Sequence, residues 1–187
     1  QIETLSSLAK VYPDQELDLR DRQEAGCMLK NEVFSFQAAF RIDNVWQSSV
    51  RIEVEAPEEI KPYLTIQAID YVPCDFPMYE TTLKQCDHPA PGLFPDILRE
   101  LPPIQWVYKN SWRAVYIRIN GESQEIRPGI YDLTIKITND TVYTKTFHLE
   151  VLDAALSPQK LIVTNWFHTD CLCNYYGMEF DSEEYWR

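Results

Sequence analysis

The side chains best suited to chemistry are crowded near the end of this sequence. His168, Asp170, Cys171 and Cys173 lie close together, directly after an apolar stretch that includes Trp166. Imidazole, carboxylate and thiolate groups bind zinc, and a thiol beside an imidazole can act as a nucleophile. A structural zinc site usually takes its four ligands from two separated pairs, and this cluster lacks a distant second pair. We therefore expect no metal, no other cofactor and no catalytic thiol here.

Three tryptophans in the body of the chain offer a different chemistry. The rings of Trp46, Trp106 and Trp112 can stack on sugars and form a carbohydrate-binding platform. Trp106 and Trp112, however, flank a proline-rich segment, which favours a role in anchoring that segment to a core or a domain interface. Aromatic residues of β-sandwiches are mostly core residues. The sugar platform stays the alternative interpretation.

The composition limits the partners of the chain. It has 187 residues and a net charge of −12, from 17 Lys and Arg against 29 Asp and Glu. Such a charge repels phosphate backbones and anionic lipid headgroups, so we expect neither nucleic acid nor a membrane as partner. No apolar run approaches the ~18 residues of a membrane span. The length suits one domain with an appendage.

The cysteines give a mild indication of compartment. There are five, an odd number, and their spacing matches no small disulfide framework. This favours a reducing, cytoplasmic location over secretion.

Alternating apolar and polar residues predict about seven β-strands. They lie near residues 15–21, 34–40, 50–54, 63–72, 115–119, 131–137 and 143–151. Each has one apolar and one polar face, and Asn139-Asp140 is typical of a turn between the last two. This pattern predicts an all-β fold over residues 1–155, as an immunoglobulin-like antiparallel β-sandwich.

Residues 73–103 interrupt this pattern. They hold seven of the 12 prolines and predict a long loop. The segment also carries apolar residues such as Phe94 and Ile97, which are unusual in a solvated linker. We expect it to pack against something, such as a neighbouring domain.

Residues 156–187 are different in character. Pro158 follows the last alternating strand and marks a boundary. The next stretch, 161–167, is apolar without alternation, which is typical of a strand buried on both faces in a parallel sheet. Asp181 or Ser182 then fits the N-cap of a helix. A linker, a strand and a helix start predict the first half of a βαβ unit.

Four stretches carry a resemblance to a known family. They are "NEVFSFQAAF" (residues 31–40), "FPDIL" (94–98), "PGIYDLTIKI" (128–137) and "TNWFHTDCLCNYYGMEFDSEEYWR" (164–187). Together they resemble the N-terminal part of glycoside hydrolase family 123 and its uncharacterised bacterial relatives. The resemblance implies a β-sandwich followed by a (β/α)8 barrel. It also implies hydrolysis of β-linked N-acetylgalactosamine, with the acetamido group of the substrate as nucleophile and an adjacent Asp-Glu pair in the barrel.

This resemblance implies that the catalytic residues lie elsewhere. The sequence has no Asp-Glu dipeptide, and residues 161–187 supply little of a barrel of ~250 residues. We expect a chain cut shortly after the first barrel strand, an accessory domain without catalytic residues of its own. Trp166, His168 and Asp170 follow that strand, so in the whole enzyme they are the candidate substrate-binding residues. The simpler interpretation is that Trp166 is a core residue and His168 braces a loop.

Two readings of the function follow. In the first, the chain supports a glycoside hydrolase barrel and meets carbohydrate only through the whole protein. In the second, it is a stand-alone carbohydrate-binding or adhesion module whose end is a tail. Under the first reading the strand at 161–167 lacks its neighbours, so we expect it to pair with a second copy and form a dimer.

Overall fold

The chain forms a β-rich body followed by a short helical segment. The computed structural model describes residues 1–76, 86, 88–158, 160–164 and 168–186. Two compact units are distinguished, Gln1–Leu156 and Ser157–Arg187. We call them the β unit and the C-terminal unit. The predicted all-β class is confirmed.

Ten strands form in the described part of the β unit. They are β1 (Ile2–Ser6), β2 (Ala25–Leu29), β3 (Val33–Phe40), β4 (Gln47–Glu55), β5 (Leu64–Cys74), β6 (Gly92–Glu100), β7 (Gln105–Tyr108), β8 (Arg113–Asn120), β9 (Gly129–Thr138) and β10 (Val142–Leu152). Sheet I has the order β1-β3-β8-β5-β6, and sheet II has the order β2-β10-β9-β4-β7. The predicted strands other than the first coincide with β3, β4, β5, β8, β9 and β10.

The first predicted strand, near residues 15–21, is wrong. Leu19–Asp21 forms a turn of 3-10 helix instead. Asp18 precedes this turn, and its carboxylate accepts hydrogen bonds from the backbone N–H and the guanidinium of Arg20. A capping aspartate of this kind favours a helical turn over a strand.

The antiparallel prediction is wrong at one edge of sheet II. There β10 pairs with β2 in parallel, with Val151 opposite Met28. Every other pairing of named strands in the described residues is antiparallel. Parallel neighbours need a long connection, and the whole of β3 to β9 lies between β2 and β10.

One apolar core fills the space between the two sheets. Alternation along β9 turns Leu133, Ile135 and Ile137 inward, and all three are buried. The rings of Phe36 from sheet I and Phe147 from sheet II stack with their centroids 3.9 Å apart. Each such side chain contributes about 1.5–3 kcal/mol by leaving water. The core therefore ties the two sheets together.

The outer face of sheet I is also covered. We call residues 7–17 the N-terminal strap. Its Ala9 and Val11 pack with the buried Trp112 in a second apolar cluster. The amide of Gln37, on the same face, donates hydrogen bonds to the carbonyls of Ser7 (3.0 Å) and Ala9 (2.8 Å). Sheet I is therefore buried on both faces at this point.

The proline-rich segment is only partly a loop. Its second half forms β6, which pairs with β5 at the edge of sheet I. Pro95 lies opposite Tyr71, where the register between the two strands shifts. Proline cannot donate to a neighbouring strand, and an edge strand tolerates it because one side faces solvent. Residues 77–85 and 87 lie outside the described residues.

The C-terminal unit differs from its prediction. Residues 161–164 form no strand, and the rest of that predicted strand, 165–167, lies outside the described residues. A strand requires a hydrogen-bonded neighbour, and no described strand pairs with this stretch. A helix, α1, forms at Thr169–Tyr176, ahead of the predicted start at Asp181. Of the described residues, none belong to a helix long and apolar enough to cross a membrane.

Candidate functional site

Two of the three predicted substrate-binding residues lie at the start of α1. His168 is its N-cap residue, and Asp170 lies in its first turn. Both side chains are exposed, and the His168 Nδ1 and Asp170 Oδ1 atoms are 3.8 Å apart, which is longer than a hydrogen bond. Trp166 lies outside the described residues. The structure thus places one imidazole and one carboxylate side by side on the surface of the C-terminal unit.

The helix separates the two thiols of this cluster. Cys171 is exposed and Cys173 is buried, because residues two apart on a helix point in different directions. No group of three or more metal-binding side chains comes together anywhere in the described ranges. The helix ends at Gly177, whose φ of 67° is left-handed. That glycine is the sequence signal for a helix ending here.

The three tryptophans of the β unit do not form one platform. Trp112 is 3% exposed, and the Arg41 guanidinium lies 4.8 Å from the centre of its ring. Trp46 and Trp106 are 81% and 57% exposed. The backbone carbonyl of Trp46 accepts a hydrogen bond from Lys109 just after β7, and Trp106 lies within β7. The anchoring role predicted for Trp112 fits its burial, whereas Trp106 faces water.

A groove of about 550 Å³ lies next to Trp106. It is lined by residues 47–51 of β4, by Ile104 and Trp106, and by residues 138–140 at the end of β9. We call it the Trp106 groove. In sheet II, β4 lies between β7 and β9. It pairs with β7 through residues 47–50 and with β9 only from residue 51 onward. The groove therefore occupies the place where β4 extends past the end of β9.

The groove is lined mainly by polar side chains. Gln47, Ser49 and Arg51 alternate with inward residues of β4 and are exposed. Asp140 stands in the turn after β9, beside Asn139. Asn139 Oδ1 accepts a hydrogen bond from the backbone N–H of Thr141 (2.8 Å), which fixes the turn. Sequence analysis missed this site, because the alternation of β4 showed which residues face water but not which strand lies beside them.

A second polar cluster is engaged in holding the fold together. His88 is buried, and its ring nitrogens lie 2.7 Å from the Pro89 carbonyl and 2.9 Å from the Asp14 carboxylate. Its ring stacks on Tyr12 and meets the edge of Phe94. The cluster joins the N-terminal strap to the start of β6. Its role is therefore structural.

The shifted carboxyl pKa values do not mark a general acid. A hydrogen bond from Arg20 lowers the pKa of Asp18 to about 2, and a hydrogen bond from Lys145 lowers the pKa of Glu24. A general acid for glycoside hydrolysis requires a raised pKa. These two carboxylates belong to ion pairs at the surface.

The chain was compared with protein families, curated proteins and solved structures, and similarity was found among the solved structures. No family model and no curated protein matches this chain. Among solved structures, the chain is similar to a family 123 glycoside hydrolase from Clostridium perfringens, with a TM-score of 0.63 and 14% identity. That structure was analysed for the details of glycolipid glycan hydrolysis. The match covers 100% of this chain and 34% of the other, so this chain spans about a third of that enzyme.

A weaker similarity links the chain to PapD-like domain 7 of human CEP192. Its TM-score is 0.35 at 9% identity, covering 72% of this chain and 84% of that chain. The first similarity, at 14% identity, shows that this chain shares the fold of a part of that family 123 glycoside hydrolase.

Proposed function

We propose that this chain is the N-terminal accessory region of a glycoside hydrolase and does not itself catalyse hydrolysis. One observation carries the proposal. The whole of this chain matches a fold that makes up 34% of a family 123 enzyme. The proposal assigns the chemistry to a catalytic domain corresponding to the remainder of that enzyme.

Each unit has a part in this proposal. The β unit is an immunoglobulin-like sandwich that supports and orients the catalytic domain. The C-terminal unit is a linker followed by the first βα segment of a (β/α)8 barrel. The exposure of Leu161, Ile162 and Val163 (79%, 87% and 70%) supports this assignment. Side chains of this kind are normally buried, and neighbouring barrel strands would cover them.

The substrate proposed for the whole enzyme is a β-linked N-acetylgalactosaminide, cleaved with help from its own acetamido group. The absence of an Asp-Glu dipeptide from this sequence supports a non-catalytic role for the chain. We assign Trp166, His168 and Asp170 to sugar contact, since loops after barrel strands form the active-site face. The exposed side chains of His168 and Asp170 are available for this purpose.

The test compares two proteins from one reading frame. One is this chain, and the other continues through the following ~250 residues of a barrel. With an aryl N-acetyl-β-galactosaminide as substrate, and the glucosaminide as specificity control, the longer protein is expected to release product and this chain to release none. Activity of this chain that survives repurification would contradict the accessory role. A reading frame without a following barrel would contradict the whole proposal.

The second candidate is a stand-alone carbohydrate-binding or adhesion module. The half-exposed Trp106 beside a polar groove is the observation that favours it. Whether the reading frame continues into a barrel distinguishes the two candidate functions, because a stand-alone module needs no catalytic domain after it.

A further inference from the structure

We infer that the Trp106 groove is a binding site for a neutral saccharide. The inference rests on the β unit alone and does not depend on whether the chain belongs to a glycoside hydrolase. Three features of the groove support the inference. They are an aromatic side chain along one wall, polar side chains that have no hydrogen-bond partner among the described residues, and one positive and one negative side chain.

Trp106 supplies the aromatic wall. It lies opposite Ser49 on the outer side of the β4–β7 pair and is 57% exposed. The next residue, Val107, is buried in the core, and β7 is hydrogen-bonded to β4. The backbone beneath the indole is therefore fixed. A pyranose ring has a face of C–H groups that packs on such an indole, while its hydroxyl groups project sideways.

The polar side chains of the groove are available to hydroxyl groups. Within the described residues, the side chains of Gln47, Arg51 and Asp140 make no hydrogen bond or ion pair with one another or with any neighbour. They offer an amide, a donor-only guanidinium and an acceptor-only carboxylate. A sugar hydroxyl both donates and accepts, so this mixture suits it better than it suits a purely apolar ligand.

The balance of charge excludes a strongly ionic ligand. Arg51 and Asp140 are the ionisable side chains that line the groove, and their charges are opposite. The net charge of −12 for the whole chain repels anions as well. The groove volume of about 550 Å³ falls within the ~300–1,000 Å³ range of small-ligand sites. A short neutral oligosaccharide fits these conditions.

The matched control is a second exposed tryptophan in the same part of the β unit. Trp46 is more exposed than Trp106 but does not line the groove. Trp106→Ala and Trp46→Ala thus remove the same side chain from the same protein. Both positions are exposed, so both variants are expected to fold. Circular dichroism and the thermal midpoint check this, and Gln47→Ala provides a third, milder variant.

The experiment is calorimetric titration of the intact chain. The probes are the methyl β-glycosides of glucose, galactose, N-acetylglucosamine and N-acetylgalactosamine, together with xylo- and chito-oligosaccharides. At least one probe is expected to bind. Trp106→Ala should weaken that binding about tenfold, Gln47→Ala should weaken it several-fold, and Trp46→Ala should leave it unchanged.

Three results would overturn the inference. The first is that no probe in the panel binds the unaltered chain. The second is equal loss of binding in Trp106→Ala and Trp46→Ala, which would indicate contact with exposed aromatics in general. The third is a self-association, seen by light scattering, that Trp106→Ala abolishes, because this face would then be a protein interface.

Discussion

The β unit buries a large set of apolar side chains in a core, whereas the described large apolar side chains of the C-terminal unit lie mostly on the surface. Phe36 and Phe147 are fully buried between two sheets, while Ile162 and Tyr175 are largely exposed. The residue types are similar, so the difference comes from topology. A strand or helix can bury its apolar side only where a second surface meets it, and a unit of fewer than ~40 residues rarely supplies one by itself. Of the four predictions below, the first and the last compare the two units, and the other two test the packing of the β unit.

The largest expected effect is in the core. Phe147→Ala should lower the free energy of unfolding by about 3–5 kcal/mol, because it removes a fully buried ring that stacks on Phe36. Tyr175→Ala, the matched aromatic change in the C-terminal unit, should cost less than about 0.5 kcal/mol, because its side chain is exposed. Urea unfolding measures both. Equal effects would show that the contrast between the units is wrong.

The next effect appears at alkaline pH. Burial raises the pKa of Tyr71 to about 12, from its ordinary value of 10.0. Its phenol oxygen lies 2.9 Å from the Trp112 carbonyl and 3.3 Å from that of Val11. The folded state thus favours the protonated phenol. The stability that this provides is complete below about pH 10 and is lost as the pH rises through about 12.

Tyr71→Phe tests this effect. It should cost about 1 kcal/mol at neutral pH, from the lost hydrogen bond. Between about pH 10 and 12, the free energy of unfolding of the unaltered chain should fall by up to about 3 kcal/mol because of this phenol, and the variant should not show this fall. Urea unfolding across this range measures both. An unchanged slope would show that this phenol does not control the alkaline limit.

A smaller loss is expected at the N-terminal strap. Gln37→Ala removes the donor that holds the carbonyls of Ser7 and Ala9, and leaving these groups unpaired should cost about 1–3 kcal/mol. Gln37→Glu should cost more, because a carboxylate would face those carbonyls. Gln47→Ala, on the exposed side of β4, is the stability control, expected within about 0.5 kcal/mol of the unaltered chain. A loss as large at Gln47 as at Gln37 would contradict the role of the strap.

The smallest effect on stability is expected from removing the C-terminal unit. A chain ending at Leu156 keeps both hydrogen bonds that Asn31 makes with that residue. Its free energy of unfolding should change by less than about 0.5 kcal/mol, because the core of the β unit comes from its own strands. Its mass in light scattering should be that of a monomer, whereas the longer chain should form dimers through residues 161–167. Monomers in both cases would show that the predicted pairing is wrong.

The strands that could be predicted from the sequence are the longer ones, in which buried residues alternate with solvent-exposed ones. β9 and β10 alternate over ten or more residues, and such a pattern has few other interpretations. β1, β2 and β7 are only four or five residues long and give too short an alternation. β6 contains Pro95, which argues against a strand unless its position at the edge of a sheet is known. Neither that position nor the parallel pairing of β2 with β10 can be read from local sequence.

The candidate sites show the same limit. Trp106 and Trp112 both flank the proline-rich segment, yet one is exposed and the other is buried. The difference arises from long-range contacts. The strap covers Trp112, whereas Trp106 lies on an edge strand with its side chain pointing outward. In the C-terminal unit, the helix lies ahead of the predicted start at Asp181 and ends at Gly177. Asp181 itself has a left-handed φ of 64°, whereas an N-cap residue has an extended backbone.

The N-terminal strap also constrains how the chain folds as it is made. Its backbone carbonyl at Pro13 accepts a hydrogen bond from Trp112, and Val11 packs in the same cluster as Ala114. These partners leave the ribosome long after the strap itself. The contacts between the strap and β8 must therefore wait until β8 has been synthesised, and contacts of such high sequence separation form slowly. During that interval, chaperones and proteases have access to a segment that is later held on the surface of the finished fold.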